Sequence, residues 1–107
     1  MRVLFDQGVP GLRKSLTHHE VSTTYELRWA TLEYGDLLDA AEREGFEVLV
    51  TTDKNLKYQQ NLDVRRIAIV VLATTSWPRI QREIPAVVRA VSETSAGSYT
   101  EVQVGQT

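Results

Sequence analysis

Three short stretches of unbroken apolar residues constrain the fold of this chain more than any other feature. They are residues 3–5, 48–50 and 67–72. Short apolar runs of this kind are typical of buried strands, and strands that are covered on both faces belong to parallel sheets. The sequence therefore predicts a largely parallel sheet that is enclosed between helices.

Two further segments predict strands of a more exposed kind. Residues 19–24 are rich in β-branched side chains, and residues 99–104 alternate between apolar and polar. Alternation is typical of a strand with one solvent-facing side, so we expect residues 99–104 at an edge of the sheet.

The segments between the strands carry helical signals. Asp36 precedes an apolar pattern, and Asp39 lies three residues later, where a capping box has Glu or Gln. Gly45 follows the pattern, as a helix-ending glycine does. These residues predict a helix over about 37–44 with Asp36 as its N-cap.

Three more helical segments are predicted along the chain. Two are short and cover residues 10–16 and 54–61. The third begins after Ser76 and keeps an apolar face for several turns, with a kink or break expected at Pro85. Strands and helices thus alternate, which predicts an α/β fold with about five strands and helices on both faces of the sheet.

Size and composition favour one domain spanning residues 1–107. The chain has 42% hydrophobic and 24% charged residues, a net charge of −2 and no cysteine. A slightly acidic chain is unlike proteins that coat nucleic acid, although a local basic patch remains compatible with it. The absence of cysteine excludes disulfides and thiolate metal sites. Residues 67–73 form the longest apolar run, far short of the roughly 20 residues of a membrane span, so we expect a cytoplasmic protein.

Three aspartates lie where the predicted fold places ligand sites. In open α/β sheets, ligands bind beyond the carboxyl ends of the strands. Asp6 and Asp53 each follow a buried apolar run, and Asp36 begins a predicted helix. Carboxylates gathered at one edge repel one another unless a cation lies between them, and Mg²⁺ or Mn²⁺ prefers such oxygen ligands. Each aspartate also has a simpler interpretation as a helix cap or a turn residue.

Polar and basic residues near these acids have both a functional and a plain interpretation. Asn55 can give a neutral oxygen to a metal or orient a water, and Lys54 can neutralise a phosphate. Arg79 and Arg82 can contact a phosphate backbone from the last helical segment. Solvated surface cations explain the arginines equally well.

Four segments of the chain resemble the small PIN-like family. They are LFDQGVP at 4–10, HEV at 19–21, GDLL at 35–38 and LVTTDKNL at 49–56. The likeness runs in order from residue 1 to about residue 72, and TTDKNL is its most specific part. Members of this family are predicted toxin ribonucleases of prokaryotic toxin–antitoxin pairs.

The resemblance implies a single PIN-like domain with an α/β/α sandwich and an Mg²⁺- or Mn²⁺-dependent endoribonuclease activity. In that interpretation Asp6, Asp36 and Asp53 hold the metal, and Asn55 stands where relatives commonly have a second aspartate. It also implies an RNA substrate, a cognate antitoxin and a possible homodimer. Larger PIN nucleases have a further acid after a later strand, whereas residues 73–76 offer only hydroxyls here.

Two other functions remain open from the residues. A PIN-like module without catalysis, acting as a binding or regulatory partner, would explain the missing acid. A phospho-acceptor domain of receiver type is disfavoured, because Asp6 is followed by Gln7 and no lysine follows Leu72.

Overall fold

The computed structural model of the chain describes residues 1–6, 16, 19–56, 62–73 and 76–103. In chain order its elements are β1 (Arg2–Phe5), β2 (Glu20–Thr23), α1 (Tyr34–Arg43), β3 (Val48–Thr51), a 3-10 turn (Leu62–Val64), β4 (Ala68–Leu72), α2 (Trp77–Arg82), α3 (Ile84–Ser92) and β5 (Tyr99–Val102). The five strands form one sheet in the order β2-β1-β3-β4-β5. Every neighbouring pair is parallel. The predicted α/β fold is therefore confirmed.

The three apolar runs of the sequence form the centre of this sheet. They correspond to β1, β3 and β4, whose side chains are almost entirely buried. The strands β2 and β5 lie at the two edges and are more exposed. Continuous apolar sequence marks the central strands because both of their faces are covered, whereas an edge strand keeps one side in solvent.

Helices cover both faces of the sheet. Successive side chains of a strand point to opposite faces, so each strand contributes to two cores. One core lies under α2 and α3 and includes Val3, Phe5, Val48, Val50, Ile80, Val87 and Val91. The other lies under α1 and includes Leu4, Leu37, Leu38, Ala41, Leu49, Ile69 and Val71.

Helix α1 begins three residues earlier than the sequence pattern predicts. Its N-cap is Glu33, which makes no side-chain capping bond, and the Leu37 amide donates to the Glu33 carbonyl at 2.8 Å. The predicted capping role of Asp36 is therefore wrong. Asp36 lies inside the first turn, where its negative charge interacts favourably with the positive end of the helix dipole. The earlier start allows the ring of Tyr34 to pack against the α1 core. The helix end was predicted well, because Gly45 follows it with a φ of 85°.

The break at Pro85 is confirmed. Helix α2 ends at Arg82 and α3 begins at Ile84, so that Pro85 lies in the first turn of α3. Proline is tolerated there because amides of a first turn have no partner within the helix.

The predicted helix over 10–16 lies outside the described residues, apart from Leu16, which is buried. Most of the predicted helix over 54–61 also lies outside them; of its described residues, 54 and 55 form a turn and 56 is helical. Across the described ranges, no helix combines the length and the apolar character that crossing a membrane requires.

Candidate functional site

The carboxyl end of the sheet brings three polar side chains into one row. Phe5 pairs with Thr23 on one side and with Val50 on the other. The residues that follow these three, Asp6, Thr24 and Thr51, therefore lie side by side at one level of the sheet, one residue further along the strands. The Asp6 amide donates to the Val50 carbonyl at 2.9 Å, and the Thr24 amide donates to the Phe5 carbonyl at 2.9 Å. Side chains at one level of a parallel sheet share a face, and this row lies on the α1 side.

Two hydroxyls hold the carboxylate of Asp6. Its Oδ2 accepts a hydrogen bond from the Tyr34 phenol at 3.1 Å and another from Thr51 Oγ1 at 3.0 Å. Thr51 Oγ1 also accepts the backbone amide of Asp53 at 3.2 Å. One buried hydroxyl thus joins the acid that follows β1 to the segment that carries the acid after β3.

Tyr34 completes this group from the first turn of α1. Burial raises the pKa of its phenol; the Thr51 hydroxyl opposes that shift, and the carboxylates of Asp6 and Asp53 reinforce it. The phenol consequently stays protonated at neutral pH and acts as a hydrogen-bond donor. The same contacts show that Tyr34 lies close to both carboxylates.

Asp53 also has the simpler role that its sequence context allowed. Its Oδ1 accepts a hydrogen bond from the backbone amide of Asn55 at 2.8 Å. This bond forms a local turn beyond β3. The side chain is half-buried, whereas Lys54 and Asn55 are exposed beside it. The turn fixes the direction of the Asp53 carboxylate relative to the sheet.

Asp36 stands apart from this hydrogen-bonded group. Its side chain is exposed in the first turn of α1. Within the described ranges, no three or more His, Cys, Asp or Glu side chains are placed so that they could hold a metal ion together. The structure thus links two of the three predicted acids, Asp6 and Asp53, and leaves the third outside the link.

The predicted phosphate-binding cations lie on two elements. Lys54 directly follows Asp53 in the turn after β3. Arg79 and Arg82 are exposed on α2, which follows the carboxyl end of β4. Their contact with phosphate stays a prediction.

Sequence reasoning did not identify the two hydroxyl residues of the site. Thr51 had a usable signal, because it directly follows a buried run and shares the strand face of Leu49. Tyr34 had none, because the segment before α1 has no clear periodicity. Its role depends on a contact between residues that are 28 positions apart.

The oxygen donors of this group suit a hard divalent cation. Mg²⁺ commonly binds through one or two carboxylates and keeps several waters for substrate phosphates to replace. Asp6 and Asp53 supply two such carboxylates, and the group contains no sulfur or imidazole that would favour a softer metal.

Comparisons with known proteins identify no relative. A scan against protein-family models, a search of curated proteins and a search of solved structures each return no match.

Proposed function

We propose that this protein is a metal-dependent endoribonuclease that hydrolyses phosphodiesters with Mg²⁺ or Mn²⁺ at the carboxyl edge of its sheet. The supporting observation is the link from the Asp6 carboxylate through the Thr51 hydroxyl to the Asp53 backbone amide, which joins the segments that carry the two acids at the ends of neighbouring parallel strands. Ligand sites of open α/β sheets occur at this edge.

In this proposal Asp6 and Asp53 hold the cation, whereas the predicted third ligand, Asp36, lies exposed in the first turn of α1 outside their hydrogen-bonded group. The cation, when bound, polarises the phosphate and lowers the pKa of an attacking water. Tyr34 and Thr51 keep the Asp6 carboxylate in a fixed direction by donating to its Oδ2.

The exposed polar residues around the acids receive supporting roles in the proposal. Asn55 orients the attacking water with its side-chain amide. Lys54, Arg79 and Arg82 balance the charge of the phosphate backbone, which requires no reading of the base sequence.

The resemblance to the small PIN-like family supports a cellular setting for this activity. In that setting the chain is the toxin of a toxin–antitoxin pair, acts on cytoplasmic RNA and is restrained by a cognate antitoxin. A homodimer also fits this proposal.

The first test measures cleavage of mixed single-stranded RNA in Mn²⁺. We expect wild-type protein to cleave, and Asp53→Asn or added EDTA to abolish cleavage, because each removes either a ligand of the cation or the cation itself. Losing an essential component of a metal site costs on the order of 100-fold or more in rate. Single-turnover assays on a gel measure this difference.

Glu93→Gln is the matched control for this test. It neutralises an exposed carboxylate just beyond α3, at the opposite edge of the sheet from Asp53. It should cleave like wild type. Cleavage that persists in EDTA, or that Asp53→Asn leaves unchanged, would contradict the proposal.

A catalytically silent binding module is the second candidate function. It is favoured by the turn at Asp53, whose Oδ1 is already engaged by the Asn55 amide. It is also favoured by Asn55 itself, a neutral residue where relatives commonly have an acid. Wild-type protein that neither cleaves RNA nor binds Mn²⁺ in calorimetry would support this function over the nuclease.

A further inference from the structure

The turn between β2 and α1, residues 24–33, combines three features that no role in the carboxylate group explains. Tyr25 is 82% exposed, which is unusual for a large aromatic side chain. Arg28 has a φ of 62°, a left-handed conformation that is costly for a residue with a Cβ. A cavity of about 530 Å³ is lined by Tyr25, Glu26, Arg28, Ala30 and Thr31.

The backbone of this turn is well fixed. The Thr23 amide donates to Glu26 Oε1, and the Glu26 amide donates to Thr23 Oγ1, both at 3.0 Å. This reciprocal pair is the arrangement of a capping box. The Arg28 amide donates to the Tyr25 carbonyl at 3.1 Å, which closes the turn on the residue that carries the exposed ring. Tyr25 is therefore presented to solvent by a defined backbone.

The inner side of the turn is anchored in the protein core. The Trp29 amide donates to the Thr24 carbonyl at 2.8 Å, and the indole packs edge-on against Phe46 with ring centroids 6.0 Å apart. Trp29 thus holds the turn, and Tyr25 and Arg28 are left on its outer side.

The turn lies directly beside the carboxylate group. Thr24 is at the same level of the sheet as Asp6, on the neighbouring strand, so their backbones are separated by one strand spacing of about 5 Å. The far end of the turn leads into Tyr34, whose phenol donates to Asp6. A chain bound at the carboxylates would therefore run close to the backbone at the start of this turn.

An exposed aromatic ring and a guanidinium that line the same cavity are side chains suited to binding single-stranded nucleic acid. Bases stack on aromatic side chains without regard to sequence, and arginine pairs with the phosphate backbone. A base paired in a duplex is stacked on its neighbours and offers no free face.

We propose that the β2–α1 turn is a base subsite, in which a base of a single-stranded nucleic acid stacks on Tyr25 and its phosphate pairs with Arg28. The subsite deepens the proposed ribonuclease function, on which it rests for the identity of the strand as substrate. It selects single strands and positions the next phosphate towards Asp6 and Asp53.

The test measures binding of labelled single-stranded oligonucleotides by fluorescence anisotropy in EDTA, where cleavage does not interfere. We expect Tyr25→Ala to weaken binding roughly tenfold and Tyr25→Phe to stay within about twofold of wild type, because stacking needs the ring and not the hydroxyl. RNA and DNA single strands should show the same loss, since stacking does not read the 2′-hydroxyl. A blunt duplex should bind wild type and Tyr25→Ala equally.

Arg28→Gly tests the phosphate contact separately. Glycine adopts a φ of 62° without steric cost, so this variant removes the charge and keeps the turn. We expect weaker binding and a salt dependence whose slope falls by about 1, as for the loss of one phosphate contact. Thermal melting followed by circular dichroism checks that each variant is folded.

Two variants at the amino-terminal edge of the sheet serve as controls. Val64→Ala truncates another exposed hydrophobic residue, 74% exposed, in the turn before β4. Arg43→Ala removes an exposed cation from the last turn of α1. Both should bind single strands like wild type.

Binding by Tyr25→Ala that matches Val64→Ala would overturn the subsite, as would a wild-type protein that binds no single strand. The nuclease and the subsite fail separately. If wild type cleaves RNA in Mn²⁺ and Tyr25→Ala binds equally well, the nuclease stands and the subsite falls. If Tyr25 governs binding and no RNA is cleaved, the subsite stands and the nuclease falls.

Discussion

Two buried threonines at the same level of the sheet have opposite hydrogen-bonding environments. Thr51 is 1% exposed, and its hydroxyl donates to Asp6 and accepts the Asp53 amide. Thr24 is fully buried, and its hydroxyl has no hydrogen-bond partner in the described part of the chain. A buried hydroxyl stabilises a fold when it is paired and destabilises the fold when it is not.

Valine substitutions at these two positions should therefore have different effects. Thr51→Val is expected to lower the free energy of unfolding by about 1–3 kcal/mol, because it leaves the Asp53 amide without its acceptor and removes a donor from Asp6. Thr24→Val should be neutral or slightly stabilising, since it replaces an unpaired hydroxyl by a methyl of the same size. Urea unfolding of both variants measures the difference, and equal losses would contradict it.

At the scale of elements, an ion-pair network fastens α1 to the segment before β4. Arg65 pairs with Asp39 and, at 3.1 Å, with Glu42, both on α1. Glu42 Oε2 also accepts the amides of Arg66 at 2.6 Å and Ile67 at 3.2 Å. Burial works against the charged form of Glu42, but these hydrogen bonds and the Arg65 guanidinium outweigh it and hold the pKa of the carboxyl below its ordinary value of 4.5.

This network predicts a dependence of stability on pH. A carboxyl whose pKa is lower in the folded state stabilises the fold above its unfolded pKa, and that contribution is lost as the pH falls through the folded value. Glu42→Gln should cost about 1–3 kcal/mol at pH 7. The difference from wild type should shrink below about pH 4.5, where the unfolded carboxyl takes up its proton.

Urea unfolding at pH 7 and pH 3.5 tests this prediction. Glu44→Gln is the control, because it changes an exposed carboxylate just beyond the same helix. A constant difference between wild type and Glu42→Gln at both pH values would show that the charge of Glu42 contributes nothing.

At the scale of the whole molecule, the amino-terminal and the carboxyl-terminal ends of the parallel strands carry different groups of side chains. At the amino-terminal ends of the strands, Arg2 pairs with Glu20 at 3.6 Å and lies over the Phe46 ring at 4.3 Å, and a cavity of about 370 Å³ opens beside Phe46. The carboxyl edge holds Asp6 and Asp53 next to a turn that exposes an aromatic ring and a cation. Because β1 and β3 are adjacent central strands, a cation bound between them would stabilise the folded chain as a whole.

Mn²⁺ should accordingly raise the melting temperature of the wild-type protein. At about 100 times its dissociation constant, a bound ligand adds about 2.7 kcal/mol, or on the order of 10 °C for a chain of this size. Asp6→Asn and Asp53→Asn should remove the shift, whereas Asp36→Asn should keep most of it, because Asp36 lies outside the group that joins the two other acids. Glu93→Gln should keep the full shift. An equal shift in all five proteins would place the cation elsewhere.

The amino-acid sequence alone determined the main architecture of this protein. The runs at 3–5, 48–50 and 67–72 predicted the central strands, because a strand buried on both faces must be apolar at every position. Pro85 predicted a helix break, because proline lacks an amide and clashes with the preceding turn. Asp6 and Asp53 could be identified as candidates, since parallel strands bring their carboxyl ends to one edge.

Only the tertiary structure decided which side chains meet at that edge. Thr51 reaches Asp6 across 45 positions of sequence, and Tyr34 reaches it across 28. Neither the start of α1 nor the exposure of Asp36 could be predicted from the sequence pattern. The physical reason is that strand order, register and helix packing set these contacts, and each depends on residues far apart in the chain.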